Sequence, residues 1–205
     1  MAMVSWVLKE WQVAVTALLQ GETVLLLRKG GIRETQGKFS LAARQVLLLP
    51  TLEHQKLSLL QPPFHPLAVV ETPNPDPTNP DQPNPDQVCL TGWATITHAL
   101  PLTAESDVAA LLPYLVWNEQ FVQERLDWQP HRPLYGLLLR AYRLEAPLVL
   151  PRHSGYSGCR SWVEIGQSVE VDNSTPALAA ADYADQVNAI LKVLPATKKY
   201  PPCGP

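Results

Sequence analysis

Cysteine is nearly missing from this 205-residue chain: Cys89, Cys159 and Cys203 stand far apart, with no Cys-x-x-Cys pair. A disulfide scaffold is therefore not expected, and a reducing compartment is. Charge is also scarce, at 17% against the usual ~25%. The net charge of −3 removes a globally basic nucleic-acid binder from consideration. No apolar run approaches the roughly 20 residues that cross a bilayer. The opening Met1-Ala2-Met3-Val4-Ser5-Trp6 shows no basic leader ahead of an apolar segment. The expectation is a soluble, cytoplasmic protein with no membrane partner.

What is plentiful is proline, with 21 residues, several of them in a repeat: Asn74-Pro75-Asp76, Asn79-Pro80-Asp81 and Asn84-Pro85-Asp86. A segment so poor in apolar side chains has nothing to bury, so residues of about 66–87 are expected to form a disordered insertion. Hydrophobic residues make up 46% of the chain, enough for one packed core. We expect a single α+β domain over 1–195, interrupted by that insertion, and a frayed tail over 196–205.

Periodicity places the elements. Val7, Trp11, Ala14, Val15 and Leu18 recur at helical spacing and predict a helix from Trp6 to Gln20, stopped by Gly21. Thr23 to Lys29 and Gln45 to Pro50 read as strands, the second too apolar to be an edge. Thr51 reads as the cap of a further helix ended by Pro62-Pro63. Strands follow at Val88 to Leu100, Leu134 to Glu145 and Arg160 to Ile165. Helices are predicted from Ala104 to Leu112 and from Asn118 to Leu126, and a last one begins at Ser174 or Thr175 with Pro176 at its first position. Such an order lacks regular βαβ alternation. It predicts a single mixed, mainly antiparallel sheet, or partly closed barrel, with flanking helices.

Charge is distributed unevenly. Between Arg28 and Lys56 six basic residues face two acidic ones, and from Arg125 to Arg160 six arginines face two acids with no lysine among them. Arginine offers planar, bidentate contacts, so the run Arg28-Lys29-Gly30-Gly31-Ile32-Arg33-Glu34 at a strand end is the leading anion-binding candidate. There Gly30 and Gly31 would allow close backbone approach. Arg140, Arg143 and Arg160 would add a second basic contribution. The competing reading is that these cations sit in internal ion pairs. Trp93, Trp117, Trp128, Tyr135, Tyr142, Tyr156 and Trp162 are interleaved with the later arginines, an arrangement suited either to base stacking or to a core.

Catalytic signatures largely fail. Five residues separate Gly31 from Gly37 where a P-loop needs four, and Phe39 stands where Ser or Thr would hold magnesium. Cys159 replaces the last glycine of a nucleophile elbow at Gly155-Tyr156-Ser157-Gly158. His54, His65, His98, His131 and His153 form no ligand pair, so no metal site is expected, and no cofactor is indicated. Glu34, Glu53 and His54 remain as a possible acid–base set acting on a phosphate ester.

The blocks Leu8-Lys9-Glu10-Trp11, Leu26 to Glu34, Pro50-Thr51 with Glu53-His54-Gln55, and Gly158 to Val163 together resemble the cyanobacterial family catalogued as domain of unknown function 1802. The resemblance spans roughly Val7 to Leu194. It implies a cytoplasmic protein of a phototrophic bacterium and brings no assigned activity. From the residues, the leading expectation is a binding domain for a phosphate-bearing ligand, nucleic acid or nucleotide. A hydrolase or nuclease, and a protein-interaction adaptor using the acidic repeat, are the alternatives.

Overall fold

The computed structural model describes residues 2–29, 32–35, 38–69, 86–152, 154–156 and 160–195. Most of the Asn-Pro-Asp repeat and the tail from 196 lie outside the described residues. So do Gly30, Gly31 and Cys159.

The chain opens with a strand rather than a helix. β1 (Met3–Trp11) leads directly into α1 (Gln12–Gln20). Val7, Leu8, Lys9, Glu10 and Trp11 are all buried, because β1 is an inner strand covered on both faces. An inner strand of that kind loses the two-residue alternation, which is why its apolar positions imitate helical spacing. Gly21 ends α1 as expected, at φ +78°. Its N–H donates to Leu18 O and that of Glu22 to Ala17 O, in a Schellman arrangement.

β2 (Leu25–Arg28) follows, then a small separate hairpin of β3 (Ile32–Thr35) and β4 (Lys38–Leu41), where the sequence suggests only a connection. β5 (Gln45–Thr51) returns beside β1. No α-helix forms after Thr51. Thr51 Oγ1 instead accepts the Glu53 N–H at 3.1 Å, His54 adopts φ +63°, and the chain proceeds through two 3-10 turns at Leu57–Leu59 and Pro62–Leu67. Prolines at 62, 63 and 66 deny the backbone N–H groups an α-helix needs.

β6 (Gln87–Leu102) and α2 (Glu105–Leu111) come next, then α3 (Glu119–Asp127), whose N-terminus is capped by Asn118 Oδ1. β7 (Leu134–Pro151) and β8 (Trp162–Glu170) both run past their expected ends. Ser174–Pro176 is not a helix start. It forms β9, paired with Tyr142–Leu144, and α4 begins only at Ala180 and ends at Val193. Pro176 lacks an N–H, so it fits the end of an edge strand.

The fold is α+β, as the element order indicated. Seven strands form one sheet in the order β2-β7-β6-β5-β1-β8, with β9 also on β7; β1 and β5 run parallel and the other described pairs antiparallel. Adjacent residues point to opposite faces. Leu8, Leu48 and Ala94 therefore join the larger core under the helices, whereas Val7, Leu47 and Trp93 form a second core with Val88, Leu90, Leu150, Tyr156 and Val163.

The two sheet edges curl towards each other without pairing. Arg28, at the end of β2, donates through Nη2 to Lys9 O and sits 2.8 Å from Glu10 Oε2, while its Nη1 donates to Ser161 Oγ at 3.0 Å just before β8. One side chain thus bridges the seam between the edges of a mixed sheet that does not close.

α4 docks partly through polar groups. Tyr183 Oη and Thr97 Oγ1 are 2.6 Å apart, and His98 Nδ1 lies 3.0 Å from the same Thr97 oxygen. Burial pushes the His98 imidazole below its ordinary value of about 6.5. The unfolded chain therefore takes up this proton first as pH falls, and stability is lost below about pH 6.5. Urea melts of the wild type are expected to show that decline towards pH 5, and His98→Gln should flatten it. An unchanged decline in the variant would assign the acid sensitivity to other groups.

Candidate functional site

Three of the cations that the sequence brought forward, Arg28, Lys29 and Arg143, are drawn into contacts with the rest of the fold. Arg28 is committed to Glu10, itself 7% exposed, and to the β1 backbone. Lys29 donates to the carbonyls of Arg125 and Leu126 at 2.8 and 2.9 Å, which satisfies the end of α3. Burial holds this ammonium below the usual lysine range, and the nearby Asp127 carboxylate offsets part of that shift. Arg143 serves α1 in the same way, donating to Leu19 O at 2.8 Å and to Pro176 O at 3.3 Å. Arg160 is exposed ahead of β8. Arg33 and Glu34 lie on β3, and Gly30 and Gly31 are outside the described residues.

The acid–base candidates sit on two segments, Glu34 on β3 and the other two just after β5. Glu53 pairs with Lys9 Nζ at 2.8 Å at the carboxyl end of β5, and His54 is exposed in the turn that follows. Among the described residues no three His, Cys, Asp or Glu side chains are grouped as a metal ion would require. Most of the singled-out aromatics are core. Trp93 stacks on Tyr142 with centroids 4.3 Å apart, and Trp117 stacks on Phe121 at 4.8 Å with Trp11 edge-on to both. Trp128, 46% exposed, is the exception among them.

A different set does come together. At the amino ends of β1 and β5 a groove of about 420 Å³ is lined by Met3, Ser5, Trp6, Ala43, Arg44, Gln45 and Thr95. Among the described residues its lining has a guanidinium, an aromatic ring, an amide and two hydroxyls, and no carboxylate. Thr95 pairs across the ladder with Gln45 on one side and Arg140 on the other. Directly opposed residues project from the same face about 5 Å apart, so Arg140 extends the lining row. Its guanidinium lies 5.7 Å from the Tyr142 ring centroid and 5.8 Å from that of Tyr183. Its Nε is buried with no hydrogen-bond partner among the described residues. Two aromatic rings thus hold a cation whose donors are not fully used.

Arg140 was a candidate from sequence; Arg44, Gln45, Thr95 and Trp6 were not. The available signal was weak. Arg44 belongs to the first basic cluster, and the β3–β4 hairpin carrying Arg33 and Lys38 ends just ahead of it.

The second opening, of about 460 Å³, is at the opposite end of the parallel pair, around Lys9, Thr51 and Glu53. Ser5 and Lys9 are four steps apart along β1, about 13 Å at the rise of an extended strand. The two openings are therefore distinct.

The family described as "Domain of unknown function (DUF1802)" matches residues 7–189. No curated protein matches. Among solved structures, the chain is similar to two point mutants of ZmASCH from Zymomonas mobilis. One has a TM-score of 0.39 at 11% identity, covering 89% of this chain and 96% of that one. The other has a TM-score of 0.36 at 11% identity, with 89% and 94% covered.

Proposed function

We propose that this chain, which belongs to the DUF1802 family, a domain of unknown function, binds a phosphate-bearing ligand, and that the ligand is single-stranded nucleic acid lying along the groove at the amino ends of β1 and β5. The observation that carries this reading is a groove lined by Arg44, Gln45 and Thr95, with no carboxylate among the described lining residues, and continued from Thr95 in register by Arg140. Guanidinium groups contact phosphate bidentately, and the Tyr142 and Tyr183 rings already near Arg140 lower the entropy lost on binding. Trp6 offers a base-stacking surface beside the hydroxyls of Ser5 and Thr95 and the Gln45 amide. The overall charge of −3 does not oppose this, because the field inside a groove is dominated by the charges that line it.

Fluorescence anisotropy with a labelled single-stranded oligonucleotide tests the reading. Affinity should fall with rising salt as counterions are released. Arg44→Ala combined with Arg140→Ala should weaken binding by about tenfold or more. The same pair should reduce the log–log salt slope by about 1.4, at about 0.7 for each single-strand phosphate no longer neutralised. An unchanged slope in a variant that still melts cooperatively would refute the assignment. Equal affinity for a mononucleotide and the oligomer would reassign the groove to a nucleotide.

A further inference from the structure

We infer that the opening at the carboxyl ends of β1 and β5 is a second binding site, for a small organic acid with an apolar body and one anionic head, carboxylate or phosphate ester. The inference does not depend on the nucleic-acid reading, since none of its residues lines the first groove.

The cleft encloses about 460 Å³, within the range of small-molecule sites. Its walls are largely apolar, with Leu49, Leu52, Val69 and Val88 among them, and its cations are Lys9 and Arg152. Such a division suits an amphiphile: the hydrocarbon removes apolar wall from water while the head group meets fixed positive charge.

Lys9 and Glu53 show where the head group would go. The Lys9 side chain is 8% exposed, with Nζ 2.8 Å from Glu53 Oε2 and 3.3 Å from the Tyr156 carbonyl oxygen. Its partner Glu53 is 45% exposed. Glu53 is therefore the member of the pair that reaches water, while Lys9 is held in the cleft floor by the structure around it. A buried ammonium must keep an anionic partner. The carboxylate of Glu53 is then an internal stand-in that an incoming carboxylate or phosphate replaces at Lys9, with Arg152 meeting the same charge from the rim. The geometry makes Glu53 a competitor of the ligand rather than a contact for it.

Cys89 supplies the readout. Its thiol is exposed and belongs to the cleft lining, so an occupant shields it. In a Cys159→Ser, Cys203→Ser background, maleimide labelling of Cys89 is measured with octanoate and with hexyl phosphate as probes. Saturable slowing by either supports the site, and the probe that acts at lower concentration identifies the preferred head group. Arg152→Ala should weaken the probe by about tenfold, the typical loss for one charge-assisted contact. Glu53→Gln should tighten it several-fold, because the neutral amide competes less for Lys9. Labelling unaffected by millimolar probe, or a Glu53→Gln variant that binds no better than wild type, overturns the proposal. Both variants are expected to leave salt-dependent oligonucleotide binding unchanged, so failure here is distinguishable from failure of the groove.

Discussion

Arg28→Ala is expected to destabilise the protein by about 3–5 kcal/mol, the usual consequence of removing one partner from a buried ion pair. Glu10 is 7% exposed and Arg28 12%, and they meet at 2.8 Å where β2 approaches β1. Glu10 Oε1 also accepts the Trp11 N–H at 2.8 Å, which ties the carboxylate to its buried position. Without the guanidinium that charge loses its compensation, and the seam between the sheet edges loses the donors to Lys9 O and Ser161 Oγ. Urea denaturation measures the loss.

Removing the other charge should hurt as well. Arg125 is attracted by Glu10 and repelled by Arg28, although burial is the larger influence and lowers its pKa. Glu10→Gln therefore leaves two guanidinium groups close together without their shared anion. The combination Arg28→Met with Glu10→Gln removes both members of the pair while keeping an acceptor for Trp11 N–H. It should recover most of the stability lost in Arg28→Ala. A double variant as unstable as the single one would show that the backbone and Ser161 contacts, not charge compensation, hold the seam.

Gly92→Ala is the second large effect expected. A Cβ at this position would lie 2.3 Å from Leu19 Cδ2 and 2.5 Å from the Tyr142 carbonyl oxygen. The leucine methyl can rotate away, but the carbonyl is backbone of β7 in a ladder where Trp93 pairs with Tyr142 and Gly92 with Arg143. Relief requires opening the pairing of the two longest strands, so a cost of about 1–3 kcal/mol is expected for alanine, and more for valine. For a chain of this length that corresponds to a fall in Tm of about 2–4 °C per kcal/mol. Gly136→Ala is the control. Its Cβ would meet Leu25 Cδ1 at 3.2 Å and Leu100 no closer than 3.7 Å, so only a small shift of one side chain is needed. Equal Tm losses in the two variants would mean that strand propensity, not the Tyr142 contact, governs both positions.

Composition and local pattern carried a good deal of this structure. Apolar runs located β5, β6 and β7, Asn118 marked the start of α3, and Gly21 marked the end of α1, because each signal acts within a few residues of itself. The α+β class followed from their order. Local pattern misled where burial on both faces erased alternation, as in β1, and where three prolines and a left-handed His54 replaced a helix by tight turns.

The basic residues divide along the same line. That Arg28, Arg44 and Arg140 are cations was plain in the chain; that Arg28 is the one paired with Glu10 was not. Arg28 meets its carboxylate 18 positions away only because the sheet curls until its edges face. Gln45, Thr95 and Arg140 share a row because β5, β6 and β7 pair in that register. Register between distant strands is a property of the assembled sheet: sliding a strand by one residue turns every side chain to the other face. Short-range propensities carry no such information, so the amino acids supplied the groups and long-range pairing alone brought Arg28 to the seam, Arg44 to the groove lining and Arg140 to the row beside it.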